Sequence, residues 1–290
     1  MAFWDLFRRK DVGHTVEELA RRLGLSEADL RAVQPTYREF FVPKRAGGRR
    51  RILAPDDKLK AIQRRILHRL LAGLSSHPAA MGFEFGESIA TNALKHVAKP
   101  VVVRMDIQNF FESTRTSRVE DYFRKIGWNK EASRLLVKLT THGAGLPQGA
   151  PTSPRLSNLV NHLFDARLAG MAAKVGAEYT LYADDITFSF ATDDRKAIHA
   201  VIRLVKRVAS ENGYALHHGK KLRIRRRHQR QLVTGLVVNQ RPNLPRRVRR
   251  WLRAVEHRAA KGQQPTLTPH QLAGWRALQA MIAHQTAGPK

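Results

Sequence analysis

Residues 178–190 read EYTLYADDITFSF. Two runs rich in β-branched and aromatic residues, 178–183 and 186–190, are separated only by Asp184-Asp185. Such runs favour a pleated, half-buried surface, and so short a connection makes a tight hairpin with both carboxylates at its tip. Asp is common in turns for local hydrogen-bonding reasons, so the hairpin alone defines no site. Further upstream, Pro100 introduces Val101-Val-Val-Arg-Met-Asp-Ile107, a run that suits a buried strand and carries Asp106 near its end. If these strands are neighbours, Asp106, Asp184 and Asp185 meet at one edge of a sheet. Clustered carboxylates repel and raise one another's pKa, a cost that a divalent cation removes. An all-oxygen donor set suits Mg²⁺, which keeps waters and binds substrate phosphates. Two such ions roughly 4 Å apart can activate an attacking hydroxyl and stabilise a leaving pyrophosphate.

Outward from this core the chain alternates helices and strands. Thr15-Val-Glu-Glu18 reads as a capping box opening a short helix that Gly24 stops, and Ser26 to Asp29 opens a second. ELARRLGLSEADLRAV, residues 18–33, has the pattern of a helix-turn-helix, but a plain helical hairpin is its commoner use. Residues 40–43 and 52–55 read as strands around a basic turn, 44–51, with Gly47-Gly48. Residues 57–74 form an amphipathic helix with Leu59, Ile62, Ile66, Leu67, Leu70, Leu71 and Leu74 on one face. Residues 117–141 look helical with a break at Gly127, and 143–154 is a turn-rich loop. Helices at 156–174 and 194–212 and one strand at 232–238 complete the pattern, before a linker at Pro242 and Pro245 and basic helices to the end.

The 290 residues hold 52 Lys and Arg against 24 Asp and Glu, a formal charge of +28. So large a surplus points to a polyanionic partner, because cations on a protein displace the counterions condensed on phosphates. The charge is also unevenly placed: no acidic residue lies between Glu211 and Glu256, or after Glu256. A 42% hydrophobic content suffices for a real core. With no cysteine there is no disulfide framework and no thiolate metal site. The opening residues MAFWDLFRRK lack a signal peptide's apolar stretch, and no apolar run approaches a bilayer span, so the expectation is a cytoplasmic protein with no membrane partner.

Three segments in order carry a family resemblance. Tyr182-Ala-Asp-Asp185 resembles the palm signature of reverse transcriptases, Asp106-Ile-Gln-Asn-Phe-Phe-Glu-Ser looks like that family's first catalytic motif, and Gly145-Leu-Pro-Gln-Gly-Ala-Pro-Thr-Ser-Pro154 resembles its nucleotide-and-template loop. Two more narrow it. Asn92-Ala-Leu-Lys-His96 and Val233-Thr-Gly235 resemble motifs that mark the bacterial retron enzymes. The resemblance implies an α+β, right-hand polymerase architecture: an N-terminal helical segment (1–35), fingers and palm (36–240) and a short basic helical thumb (241–290). It implies Asp106 and Asp184 as shared ligands of two Mg²⁺ ions, Asp185 as a secondary ligand, and the Ile107 carbonyl as a further metal contact. Phe111 takes the place of an aromatic gate that collides with a 2′-hydroxyl, and Gln148 that of a residue approaching the incoming deoxynucleotide. Lys44 and Arg50 match cations that grip the triphosphate, with Arg49 or Arg51 as alternatives. The segment His218-Gly-Lys-Lys-Leu222 departs from the family's Asn-x-x-Lys-Thr, which leaves open whether Lys220 or Lys221 serves the nucleotide, although Lys221 is in register.

Asn92 and His96 are expected at RNA, and so are Arg246, Arg247, Arg249, Arg250 and Arg253. Spacings of three and four put Arg246, Arg249, Arg250 and Arg253 on one helix face. The resemblance further implies that the enzyme copies part of a cognate structured noncoding RNA into single-stranded DNA, primed from an RNA 2′-hydroxyl. It would act in antiphage defence beside an effector protein. The rival readings are another bacterial reverse transcriptase, intron maturase-like or abortive-infection type, and a non-catalytic RNA-binding protein or helix-turn-helix regulator. Three intact acidic residues oppose the last.

Overall fold

The computed structural model describes residues 13–44, 47–217, 222–263 and 266–287. Its elements begin with α1 (Val16–Leu23), α2 (Glu27–Ala32), β1 (Tyr37–Pro43), β2 (Arg49–Pro55) and α3 (Asp57–Ile66). Then come α4 (Ile89–Leu94), β3 (Val101–Asp106), α5 (Phe110–Ser113), α6 (Thr116–Lys125), α7 (Lys130–Thr140), α8 (Ser153–Val160) and α9 (His162–Lys174). The chain continues through β4 (Ala177–Tyr182), β5 (Asp185–Phe190), α10 (Arg195–Glu211), β6 (Arg223–Arg226), β7 (Leu232–Val233), β8 (Leu236–Val237), α11 (Arg246–Ala260) and α12 (Pro269–Thr286). They belong to two compact units, each built from separated stretches of chain: Met1–His77, Gln108–Leu163 and Glu211–Tyr214 in the first, Pro78–Ile107, Phe164–Ser210 and Ala215–Lys290 in the second.

The first unit packs helices around one apolar core. Leu19, Leu23 and Leu30 from the N-terminal helices share it with Leu59, Ile62 and Ile66 of α3, Phe123 of α6 and Leu136 of α7. Thr15 caps α1 by accepting a hydrogen bond from the Glu18 N–H, but the reciprocal half of the expected box is replaced. The Glu18 carboxylate turns to Arg21 and Arg22, which hold it down to about 2. Residues 57–74 do not form one helix, because α3 passes into a π-helical turn, Leu67–Leu71. The helix expected over 156–174 is divided at the buried Asn161, whose Oδ1 accepts from Arg118 and Tyr214. β1 and β2 pair antiparallel from Tyr37 opposite Pro55 to Pro43 opposite Arg49.

The second unit is built on a four-stranded antiparallel sheet of order β4-β5-β3-β6. Alternation along the strands gives it two unlike faces. One carries Tyr179, Leu181, Ile186, Phe188, Val101, Val103 and Met105, all buried. The other carries Thr180, Asp185, Thr187, Ser189, Arg104, Asp106, Arg223 and Arg225. A second core joins α4, β7, β8, α11 and α12 with Val102 on that polar face. The single strand expected at 232–238 is instead a hairpin. Thr234 and Gly235 take φ of 46° and 86°, the two left-handed positions of a primed turn, and reverse the chain. A β-branched residue is strained there, and the Thr234 hydroxyl offsets this by donating to the Ile89 carbonyl at 2.8 Å.

Candidate active site

The β4–β5 turn is as short as its sequence allows. Tyr182 pairs with Asp185, so the loop is Ala183-Asp184, with Ala183 at φ 55°. The next strand brings Asp106 directly opposite Asp185. The Ile107 N–H donates to the Asp184 carbonyl at 2.9 Å, which fixes the turn against the end of β3. All three acidic residues thus belong to adjoining positions of one sheet end. Each is only partly exposed. Their side chains are engaged differently. Asp106 Oδ1 lies 3.2 Å from His217 Nε2, and the His217 N–H donates to the Asp106 carbonyl at 2.9 Å. Arg104 Nη2 donates to both Asp185 oxygens, at 2.8 and 2.9 Å. Among the described residues no three His, Asp or Glu side chains are grouped as a ready metal cage.

Three supports of this site were not visible in the sequence. Arg104 and His217 reach the carboxylates only through strand register and a distant return of the chain. Gly82 is the third. Met81 and Ala79 run beside β4 through bonds to both sides of Leu181, and a Cβ on Gly82 would lie 2.6 Å from the Ala183 nitrogen. Only glycine lets the backbones approach so closely. Beside the carboxylates a cleft of about 590 Å³ is lined by Arg104, Arg223, Arg225, Arg230, Val102 and Leu232.

A family model described as reverse transcriptase (RNA-dependent DNA polymerase) matches residues 42–234. The chain belongs to the reverse transcriptase family. Among curated relatives, this reverse transcriptase is 37% identical to the retron Mx65 reverse transcriptase of Myxococcus xanthus, over 95% of this chain and 70% of that protein. It is 36% identical to the Mx162 enzyme of the same organism, over 86% and 59%, and 34% identical to the retron Ec86 enzyme of Escherichia coli, over 82% and 77%. It is therefore of the bacterial retron type and an RNA-directed DNA polymerase by class. A solved telomerase from Candida albicans, in complex with a fragment of telomeric RNA, superposes with a TM-score of 0.52 at 12% identity, over 74% of this chain and 47% of that one. That likeness gives the fold, the right-hand polymerase.

Of the nucleotide-side residues of this reverse transcriptase, Lys44, Arg50, Phe111 and Gln148 lie in the first unit. Lys44 and Arg50 are exposed on the β1–β2 hairpin. Arg51 is taken by Glu39 at 2.8 Å. Arg50 shares a strand face with Ile52, whose Cγ2 lies close to Gly149, so it stands on the side of the Gln148 loop. The Leu53 N–H donates to the Gln148 carbonyl. The missing Cβ at Gly149 serves β2 itself, since it would stand 2.8 Å from the Leu53 oxygen. Phe111 packs its ring on the apolar core and its carbonyl accepts from Leu146, so it holds the same loop. Lys221 lies outside the described residues.

Asn92 and His96 require a correction: both are fully buried and cannot touch RNA. His96 lies over the polar face of the sheet, bridging Ser189 Oγ at 2.7 Å and Thr180 Oγ1 at 2.8 Å. Burial drives its imidazole down to about 3, with Lys99 and Lys95 adding to the shift, so the ring stays neutral. Its segment packs on the Val233-Thr-Gly turn through Ala90, Ala93 and the Thr234–Ile89 bond. The two motifs that mark the retron type therefore form one structural cluster. Arg246, Arg247, Arg249, Arg250 and Arg253 are all exposed on α11, while Leu252 and Val255 face the core.

Proposed function

We propose that this reverse transcriptase copies a cognate structured noncoding RNA into single-stranded DNA, starting from a 2′-hydroxyl of that RNA, with divalent cations held by Asp106 and Asp184. The observation that carries the reading is the pairing of Asp106 opposite Asp185 with Asp184 at the adjoining turn. The family works with divalent metal ions, and an oxygen-only donor set fits a hard ion such as Mg²⁺. Asp106, Asp184 and the Ile107 carbonyl would hold it; the Asp185 carboxylate already accepts from Arg104. Two such ions would lower the pKa of the attacking hydroxyl and neutralise the departing pyrophosphate.

The chain's own groups supply binding and orientation. Lys44 and Arg50 take the triphosphate, a guanidinium fork suiting phosphate oxygens. Gln148 approaches the nucleotide, and the Phe111 ring excludes a 2′-hydroxyl. Lys221 is proposed as a further nucleotide contact. Residues 241–290 act as a thumb whose α11 arginines track a duplex backbone, contacts that position without reading sequence. The same proposal places the enzyme in the cytoplasm, in antiphage defence beside an effector protein. No helix among the described residues is long and apolar enough to cross a membrane.

Purified protein with Mg²⁺, primed RNA and deoxynucleotides is expected to extend DNA. Asp184→Asn should abolish extension and leave RNA binding intact; equal extension by the variant would defeat the mechanism. Sequencing the nucleic acid bound in cells should recover a branched molecule with 2′-linked DNA. Linear products alone would favour another bacterial reverse transcriptase.

A further inference from the structure

Register explains how Asp185 comes to be paired with Arg104. Arg104 and Asp106 are two residues apart on β3 and so share a face. Asp185 lies opposite Asp106 and diagonal to Arg104. Two carboxylates directly opposed across a strand pair repel, and a cation on the diagonal relieves this. Arg104 is held in place from a third strand, because its Nη1 donates to the Leu232 carbonyl of β7 at 3.3 Å. Its Nε is buried with no hydrogen-bond partner, so the guanidinium faces Asp185 and β7 through its two Nη groups. Arg104 and Asp185 expose only 23% and 28% of their side chains, so water screens the pair incompletely. The partner of Asp106 is of another kind. It is the His217 imidazole, which reaches one oxygen at 3.2 Å, whereas the Arg104 guanidinium holds both oxygens of Asp185 at 2.8 and 2.9 Å.

We infer that Arg104 is a positioning residue that withdraws Asp185 from cation binding, so that the site presents two carboxylates, Asp106 and Asp184, and not three. The inference rests on the proposal that those two residues hold the cation. It gives Asp185 the role of anchor: its charge is spent on Arg104, and through Arg104 on β7. With one carboxylate fewer beside it, a bound cation keeps more of its positive charge for the nucleotide's phosphates. The arginines of the same cleft, Arg223, Arg225 and Arg230, keep that environment positive.

The test is Mn²⁺ binding to the full chain without nucleotide or nucleic acid, followed by loss of the free-ion electron paramagnetic resonance signal. Asp185→Asn alone should leave the affinity unchanged. Arg104→Gln, which frees Asp185, should tighten it on the order of fivefold, within the coupling that residues in direct contact show. The double variant should return to the parent value. A general charge effect predicts instead that Asp185→Asn alone weakens binding, and that result, or an unchanged affinity in Arg104→Gln, would overturn the inference. Arg104→Lys keeps the charge while losing the Leu232 bond and should bind as the parent does. A lysine variant as tight as the glutamine one would assign the effect to altered packing and also overturn it. In steady-state extension, Arg104→Gln should raise the deoxynucleotide KM more than it lowers kcat. Asp184→Asn is the control for the underlying reading. If it fails to weaken Mn²⁺ binding, the cation assignment falls, whatever the Arg104 variants do.

Discussion

Asp165 and His96 are ionisable side chains buried on opposite faces of one sheet, and their links to pH run in opposite directions. Asp165 accepts from the Tyr179 hydroxyl at 2.7 Å, and its other oxygen has no hydrogen-bond partner. Burial pushes its carboxyl from 3.8 up to about 7, and the tyrosine bond offsets only part of this. A folded value above the unfolded one stabilises fully below about pH 4, and that contribution is lost as pH rises to about 7. His96, lowered from 6.5 to about 3, contributes fully above about 6.5 and loses it as pH falls. At about 1.4 kcal/mol per pKa unit, each is worth a few kcal/mol, and over the shared window they largely cancel. Asp165→Asn should unmask the histidine, so that unfolding free energy rises between about pH 4 and 6.5. His96→Gln should unmask the carboxyl and make it fall. Urea unfolding at stepped pH reads both slopes; variants as flat as the parent would show that neither group is held in its neutral form. Nothing in the sequence marks this pair. Asp106, Asp184 and Asp185 were legible because two of them fill the gap between two β-rich runs, the third ends another such run, and both segments resemble family motifs. Arg104 was not, since its partner is 81 positions away and only the register brings them together.

At the level of elements, the catalytic hairpin depends on what lies behind its turn. Gly82→Ala would drive a Cβ into the Ala183 backbone, which cannot yield as a flexible side-chain tip would. The turn must shift, and Asp184 with it. Displacements of this size cost roughly 100-fold in rate when they misplace catalytic groups. Extension by Gly82→Ala should therefore fall by about that factor, while RNA binding and the melting temperature stay close to the parent's. A variant of full activity would show that the turn position is not critical. The β4–β5 and β1–β2 hairpins were readable because alternation and turn residues agree. The β7–β8 hairpin was not. LVTGLVV looks like one continuous strand, and a threonine at φ 46° is affordable only through its bond to Ile89, 145 positions away. β6 was hidden for the opposite reason: Arg223-Ile-Arg-Arg226 reads as a charge run, yet it forms an edge strand of the sheet.

For the whole chain, composition foretold a polyanionic partner but not the division into units. Each unit is assembled from separated segments, and no change of composition marks residues 77, 107 or 163. The N-terminal helices, read as a segment of their own, supply Leu19, Leu23 and Leu30 to the same core as α3, α6 and α7. What remains legible at this scale is charge. The α11 arginines stand exposed on the side away from Leu252 and Val255, whereas Arg21 is neutralised by Glu18 at 2.7 Å. A cation that meets a phosphate releases a counterion, and each such contact adds roughly 0.7–0.9 to the slope of log affinity against log salt. Replacing Arg246, Arg249, Arg250 and Arg253 with Gln should therefore flatten the slope for a structured RNA by roughly 3. Arg21→Gln should leave it unchanged, because that charge already has a partner. Fluorescence anisotropy titrations from low to moderate salt measure both. If the fourfold variant binds more weakly at every salt with the parent's slope, α11 acts through shape and packing, and the phosphates are gripped elsewhere. The cleft cations Arg223, Arg225 and Arg230 would then be the next to replace.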